Sequence, residues 1–492
     1  MDQVKNSPNR TLFENSLRDL LFDVREYGTV VTNIEFPNGS LMLPDYQQRL
    51  IINCHLGFRK AQNFIIEQII TNQKEINQLK ESLKFYRMNK DTNKVSNIQD
   101  KINIKLFEDK VYRKIADTIA WSLFYAQSYV ARKLYSGRPD EVNLSQSNIE
   151  HALEAINELH TAHPESIALI SDITSFIGIG DILFKNYEEL SVIELKEGNI
   201  NEVVKNLIKK GEESGHTIDS LVTQIEKDHN QKISTQTKRM INQTIKMKKL
   251  SNIINMGSSI DNILGLPSFI LEKPVEVEYF THVLIRMLNE LYSGNKDWKY
   301  EIIEDCIHIG VYRNKFAEIG GQLISELIYN KTGKRFPVFN YVSSCLNKPL
   351  AEPFFIKAFT KDHLVAMTFG KVKFFIAIDF DELINISRKM GLKSDWISRK
   401  KTAQLNLTKE MIIFDNQAIE FSLNEDMSIF MSGGLVFRMI FSHVIPSSIA
   451  KGIMNTLMEQ SEVIEKLNLA LSEEYNLPTL IQKIDLSVEP YI

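Results

Sequence analysis

The chain has 492 residues, 43% of them hydrophobic and 24% charged, and its formal net charge is −4. This length exceeds what a single hydrophobic core usually supports, so we expect about three domains. The slightly acidic balance excludes a general polyanion-binding protein, and any contact with nucleic acid must therefore rest on a local basic patch. No apolar run reaches the roughly 18 residues that a membrane span needs, so we expect no contact with a membrane.

The cysteines and the N-terminus indicate a cytoplasmic protein. Cys54, Cys306 and Cys345 are widely spaced and odd in number, so they form neither a disulfide framework nor a zinc site. The first ten residues, MDQVKNSPNR, lack the apolar centre of a signal peptide. We therefore expect a cytoplasmic location.

Residues 1–44 are predicted to form an N-terminal segment with a short helix and a β-hairpin. The helix is expected over residues 11–27. The hairpin is expected over residues 29–43, where two β-rich stretches flank the turn sequence Pro37-Asn38-Gly39.

Residues 45–135 are predicted to form a long helical hairpin. A heptad seam with alternating four- and three-residue spacing runs through its first helix: Ile65, Ile69, Asn72, Ile76, Leu79, Leu83 and Tyr86. A polar break over residues 87–97 separates it from a second helical stretch. The seam is satisfied either by this return helix or by a second copy of the chain in a coiled-coil dimerisation arm, and both alternatives stay open.

Residues 136–264 contain a helix, expected over residues 146–160, and three strands in quick succession. The strands are expected over residues 167–174, 179–184 and 191–196. Glu194 and Lys196 lie two positions apart and therefore share one face of the sheet. If Asp181 lies on the neighbouring strand, an aspartate, a glutamate and a lysine converge at one sheet edge.

This convergence has a chemical use. Two facing carboxylates repel each other, and Mg²⁺ or Mn²⁺ relieves the repulsion by accepting their oxygens. The carbonyl group of Leu195 offers a further ligand. Lys196 beside the ion is placed to orient a water molecule and to stabilise charge on a phosphate.

These residues resemble the core motif of the PD-(D/E)xK nuclease superfamily. Asp181 matches the first acid of the family, Glu194 the second and Lys196 the lysine, whereas Gly180 stands where the family often has proline. The resemblance implies a restriction-endonuclease-like mixed β-sheet flanked by helices and a magnesium-dependent endonuclease. It covers residues 146–250. The alternative is an exposed edge strand on which Glu194 and Lys196 pair weakly with each other.

A basic stretch follows the predicted sheet. No acidic residue occurs between His229 and Ile260, whereas six Lys or Arg residues do. The residues expected to contact the phosphate backbone lie near one helical face: Lys238, Arg239, Gln243 and Lys246. The alternative is a solvated helix face without a ligand.

Residues 275–492 are predicted to form an α+β domain that follows a linker over residues 264–274. We expect a strand over residues 302–312, hairpins over residues 363–380 and 411–423, and a terminal helix over residues 447–473. Asp379 and Asp381 could pair at a metal site, but Asp381-Glu382 suits a helix N-terminus better. This domain shows no catalytic signature. We expect it to bind a partner protein or a ligand.

The complete expectation is a multidomain protein of the α+β or α/β class. The favoured function is a Mg²⁺- or Mn²⁺-dependent endonuclease that acts on nucleic acid, with DNA favoured over RNA, in defence against phage or foreign DNA. The alternative is a non-enzymatic interaction or sensor protein with a degenerate nuclease-like core. A homodimer is the better guess for the oligomeric state, because enzymes that cut both strands commonly pair two sites.

Overall fold

The computed structural model describes residues 10–33, 44–135, 142–144, 147, 149–187, 189–195, 258–260, 267–269, 276–406, 411–424 and 427–459. The chain has a mixed α+β fold in two compact units. We call Ser7–Ile270 the N-terminal unit and Leu271–Ile492 the C-terminal unit. Across the described ranges, no helix combines the length and the apolarity needed to cross a membrane.

The N-terminal unit begins with two helices, α1 (Arg10–Arg25) and α2 (Tyr27–Thr32). The first confirms the predicted helix and buries one apolar face. The predicted β-hairpin is wrong in its first half, because residues 29–32 belong to α2, and residues 34–43 lie outside the described residues. The reason is tertiary packing: α2 lies so close to the next helix that a Cβ atom on Gly28 would be 2.3 Å from Cys54 Sγ. This contact overrides the β-propensity of the local sequence.

The predicted helical hairpin is present as α3 (Pro44–Met88) and α4 (Thr92–Leu123). Asp91 caps the second helix by accepting a hydrogen bond from the backbone N–H of Lys94. The seam of α3 is packed by its own return helix, because Ile76 and Leu83 share one buried cluster with Ile98 and Ile102. A short helix, α5 (Ser128–Leu134), follows.

Helix α6 (Ile149–Ala162) leads into a three-stranded antiparallel sheet. Its strands are β1 (Ile167–Ile170), β2 (Ile182–Lys185) and β3 (Leu190–Ile193), in that spatial order. The register places Ile182 opposite both Ile170 and Ile193. The first strand is shorter than predicted, because Ser171–Ile173 form a 3₁₀ turn closed by a hydrogen bond from the N–H of Thr174 to the carbonyl of Ser171. Two further strands of this unit, β4 (Ser258–Ile260) and β5 (Pro267–Phe269), pair with each other.

The C-terminal unit contains two antiparallel sheets with helices between their strands. Its elements are α7 (Thr281–Ser293), β6 (Trp298–Ile303), β7 (Ile307–Arg313), α8 (Phe316–Thr332), β8 (Val338–Asn340), α9 (Tyr341–Asn347), α10 (Lys361–Thr368), β9 (Val372–Ile378), α11 (Phe380–Lys389), β10 (Lys393–Trp396), α12 (Arg399–Leu405), β11 (Ile419–Ser422), β12 (Ser428–Phe430) and α13 (Gly433–Ile440). Residues 446–459 are also helical. The larger sheet has the order β6-β7-β9-β8, and the smaller has the order β10-β11-β12.

Two sequence predictions for this unit are wrong in detail. The single strand expected over residues 302–312 is a hairpin, since β6 ends at Ile303 and a tight turn follows, in which Glu304 and Asp305 have positive φ angles. The hairpin expected over residues 363–380 has a helix, α10, in place of its first strand. Thr360 caps this helix by accepting a hydrogen bond from the N–H of His363, and such a cap is the local signal for a helix start at this point.

Candidate functional site

The outer edge of β1 is bonded by side chains of α3. Gln62 donates from Nε2 to the carbonyl of Ala168 and accepts at Oε1 from the N–H of Ile170, both at 2.9 Å. Arg59 donates from Nε to the carbonyl of Ser166 at 2.9 Å. The unpaired backbone groups of an edge strand need partners, and here the long helix provides them. The helical hairpin and the sheet are therefore one structural body.

The loop from β1 to β2 is held by buried charged residues of α4. Arg113 donates from Nη1 to the carbonyl of Asp172 at 2.6 Å. Asp117 accepts at Oδ1 from the N–H of Ser175 at 2.7 Å and at Oδ2 from the hydroxyl of Ser175. Lys114 neutralises Asp117 at 2.8 Å, and their side chains are 1% and 0% exposed. A buried charge is costly unless it is paired, and these contacts pair the charges of α4 with the loop and fix the loop against the helix.

Asp181 lies immediately before β2, at the end of the sheet. Its N–H donates to the carbonyl of Ile193 at 2.8 Å, and its own carbonyl accepts from the N–H of Ser171 at 2.8 Å. Its carboxylate accepts at Oδ2 from the N–H of Leu195 at 2.6 Å. These bonds fix both the backbone and the side chain of Asp181 between the two neighbouring chain segments.

Gly180, the residue before Asp181, stands where the motif that this sequence resembles often has proline. Gly180 has φ +73°, a conformation that the proline ring forbids. A Cβ atom at this position would lie 2.2 Å from Val192 Cγ1. Glycine is therefore required here by both conformation and space.

Glu194 lies between the two residues that bond Asp181. Strand β3 ends at Ile193, so Glu194 lies just after the strand on which it was predicted, and the N–H of Asp181 bonds the carbonyl of Ile193 instead of that of Glu194. Glu194 is half-buried. The structure thus brings two of the three predicted catalytic residues to the same end of the sheet. Lys196 lies outside the described residues, as do all four predicted nucleic-acid contacts, Lys238, Arg239, Gln243 and Lys246.

A cleft of about 150 Å³ opens between α6 and this end of the sheet. Its lining includes two carboxylates, Asp181 and Asp172, together with His151 of α6 and Leu195. Sequence reasoning missed Asp172, because it falls inside the first predicted strand. The 3₁₀ turn brings it to the cleft, and the only sequence signal for that turn is the polar pair Ser171-Asp172 within an apolar run.

The cleft offers carboxylate oxygens, the kind of ligand that Mg²⁺ binds. Mg²⁺ is usually held by one or two carboxylates, with water and substrate phosphates as the remaining ligands. Asp172 and Asp181 both line the cleft, and the Asp181 carboxylate also accepts the hydrogen bond from the N–H of Leu195. Within the described part of the chain, no group of three or more His, Cys, Asp or Glu side chains is placed to hold a metal. Of the carboxylates in the described residues, the cleft therefore offers two, from Asp172 and Asp181.

Comparisons with known proteins add no relative: no protein-family model, curated protein or solved structure matches this chain.

Proposed function

We propose that this chain is a metal-dependent endonuclease that hydrolyses phosphodiester bonds of nucleic acid, with DNA as the favoured substrate. The observation that carries the proposal is the cleft at the end of the sheet, which both Asp172 and Asp181 line. Glu194 does not line the cleft, but it lies at the same end of the sheet, just after β3. The pairings among β1, β2 and β3 are antiparallel, which differs from the mixed sheet that the resemblance implies. A helix does precede this sheet, and Asp181 lies immediately before its second strand, as the proposal requires. Defence against phage or foreign DNA is the biological setting that we propose by analogy.

Each residue has a distinct part in this proposal. Asp172 and Asp181, which line the cleft, would hold Mg²⁺ or Mn²⁺, and Glu194 beside them would be the second acid that the resemblance implies. The ion would supply Lewis-acid stabilisation of the charge that develops at phosphorus. The N–H of Leu195 fixes the orientation of the Asp181 carboxylate. In this proposal Lys196 positions the attacking water, and Lys238, Arg239, Gln243 and Lys246 contact the phosphate backbone.

A second function remains in competition, that of a non-enzymatic interaction or sensor protein with a degenerate nuclease-like core. The observation that favours this second function is that Glu194, the second predicted acid, does not line the cleft. The C-terminal unit fits either function, as a partner-binding or ligand-binding unit.

The experiment that separates the two functions is a cleavage assay. Purified protein is incubated with plasmid, linear DNA and RNA in Mg²⁺, Mn²⁺ or EDTA, beside the variants D181N, D172N and E194Q. We expect cleavage only with metal, and a loss of at least about 100-fold in each variant, since removal of a ligand charge weakens metal binding. The matched control is E158Q, which neutralises an exposed carboxylate on α6.

Cleavage that persists in EDTA, or that D181N retains at the wild-type rate, would overturn the proposal. No cleavage of any substrate by the wild-type protein would favour the interaction or sensor protein.

A further inference from the structure

The end of the helical hairpin is basic in an acidic protein. We define the hairpin tip as residues 80–94, which include the turn between α3 and α4. It contains five Lys or Arg residues and two acidic residues, a net charge of +3, whereas the whole chain has a net charge of −4. Its five basic side chains are all exposed: Lys80, Lys84, Arg87, Lys90 and Lys94. Lys80, Lys84 and Arg87 recur at four- and three-residue spacing and share one face of α3.

Two large apolar side chains are exposed among these cations. Phe85 is 60% exposed and Met88 is 81% exposed. Neither is needed for the packing of the hairpin, because Leu83 and Ile98 fill the seam at this level. The rings of Phe85 and Tyr86 pack edge to face, with their centres 5.3 Å apart. The Lys94 ammonium lies 4.8 Å from the centre of the Tyr86 ring.

Exposed aromatic and thioether groups amid cations are suited to one class of ligand. Nucleic acid offers phosphates to the cations and base faces to the apolar groups, and proteins use Phe and Met as wedges between base steps. A membrane surface is the weaker match, since an interfacial helix presents a continuous apolar face and not two side chains.

We propose that the hairpin tip is a nucleic-acid contact, in which Lys80, Arg87 and Lys90 bind phosphates and Phe85 and Met88 pack against bases of duplex DNA. This inference deepens the proposed function and rests on it for the identity of the ligand. It assigns a binding role to a part of the chain remote from the cleft.

The length of α3 sets the distance between the tip and the cleft. Gln62 of α3 bonds β1 beside the cleft, and Phe85 lies about 35 Å farther along the helix at 1.5 Å per residue. This length corresponds to about ten base pairs of DNA at 3.4 Å each. A duplex that occupies both places therefore needs more than about ten base pairs.

The test is a binding measurement that does not depend on cleavage. Fluorescence anisotropy in EDTA compares a duplex of about 30 base pairs with one of about 8 base pairs, which is too short to span both places. The tip variants are K80E/R87E, which reverses the charge of two phosphate-binding side chains, and F85A. The charge-matched control is K296E/K400E, with two exposed lysines of the C-terminal unit, and the apolar control is L12A, which truncates a leucine that is 68% exposed.

We expect K80E/R87E to weaken binding of the long duplex at least about tenfold and to lower its salt slope by about 2, one for each phosphate that the variant no longer neutralises. F85A should weaken it by about 5-fold or more, within the range that one stacked base contributes. The controls should bind as the wild type does. Wild-type affinity and salt slope in both tip variants, or equal losses in the controls, would overturn the inference.

Cleavage and binding distinguish the endonuclease activity from the DNA contact of the hairpin tip. Cleavage that is unaffected by the tip variants, at unchanged affinity, would leave the endonuclease standing and refute the tip contact. Binding of the long duplex that depends on the tip, without cleavage in any metal, would keep the contact and refute the endonuclease.

Discussion

The backbone N–H of Leu195 donates a 2.6 Å hydrogen bond to the carboxylate of Asp181, across the open end of the β2–β3 pair. The N–H of Asp181 donates to the carbonyl of Ile193 in the same region. Glu194 lies between the two residues that make these bonds, so Asp181 also restrains the backbone that carries the second predicted acid. Removal of Asp181 therefore has a structural effect that is separate from the loss of its charge.

Replacing Asp181 tests that structural effect. In D181A the Leu195 N–H loses its acceptor, whereas in D181N the amide oxygen can still accept the bond. We expect amide hydrogen exchange at Leu195 to accelerate at least about tenfold in D181A, because a hydrogen bond to a charged group contributes about 1.5–3 kcal/mol. D181N should stay closer to the wild type. The amide of Leu183, inside β2, is the internal control, and equal exchange at Leu195 in D181A and wild type would contradict the prediction.

A second prediction concerns Gly180. G180A should lower the free energy of unfolding of the N-terminal unit by more than about 1–2 kcal/mol, the cost of a positive φ angle alone, because its new Cβ also collides with Val192. G180A/V192A removes the atom that collides and should recover part of the loss. G333A is the control for conformation without collision, since Gly333 has φ +68° and no atom lies within 4 Å of an added Cβ.

Unfolding of each unit can be followed separately through tryptophan fluorescence. The chain has three tryptophans, Trp121 in the N-terminal unit and Trp298 and Trp396 in the C-terminal unit. In a W298F/W396F background, urea unfolding monitored by Trp121 reports on G180A, and the reverse background reports on G333A. A loss in G180A no larger than that in G333A would show that the collision with Val192 has no effect on stability.

The sequence could predict the features that depend on local patterns. The heptad seam of α3 predicted the helical hairpin, and the β-rich runs around Asp181 predicted the strand meander. The pair Asp381-Glu382 predicted a helix N-terminus, and both residues lie in the first turn of α11, which Asp379 caps by accepting from their N–H groups. Each of these is set by periodicity or by a capping residue a few positions away.

The features that the sequence could not predict depend on contacts between distant segments. Residues 29–32 have strand-like composition, but α2 forms because it packs on α3 near Cys54. Asp172 reaches the cleft only because the strand ends at Ile170 and Arg113 of α4 holds the turn that follows. Asp172 and Arg113 are 59 positions apart, so no local pattern joins them.

A third prediction concerns the buried pair Lys114 and Asp117. D117N should destabilise the N-terminal unit by about 3–5 kcal/mol, because it removes the charge that compensates a buried ammonium group. The double variant K114M/D117N removes the ammonium group as well. The amide oxygen of the new side chain at position 117 can still accept a hydrogen bond from the N–H of Ser175. The double variant should therefore be more stable than D117N alone.

The measurement is the same Trp121-monitored unfolding, and this tryptophan is well placed because its ring packs against Phe176 of the loop. E81Q is the exposed control, because it breaks the ion pair between Glu81 and Lys84, whose side chains are 72% and 64% exposed. It should lower the free energy of unfolding by less than about 1 kcal/mol. If K114M/D117N were less stable than D117N, the buried ammonium would be stabilising in its own right.

The last prediction concerns pH and His160, whose Nε2 accepts a 3.0 Å hydrogen bond from the N–H of Ala168 in β1. Burial, aided by the positive charges of Arg59 and His55, lowers the pKa of His160 to about 4 from its ordinary value of 6.5. Between these two values the unfolded chain binds a proton that the folded chain does not, so this contribution to stability is present above pH 6.5 and is lost as the pH falls towards 4. H160Q does not titrate, and its N-terminal unit should lose less stability over that window than the wild type does when followed through Trp121. H282Q, which removes an exposed histidine of the C-terminal unit, should follow the wild type, and an H160Q curve parallel to the wild-type curve from pH 6.5 to 4 would refute the role of His160.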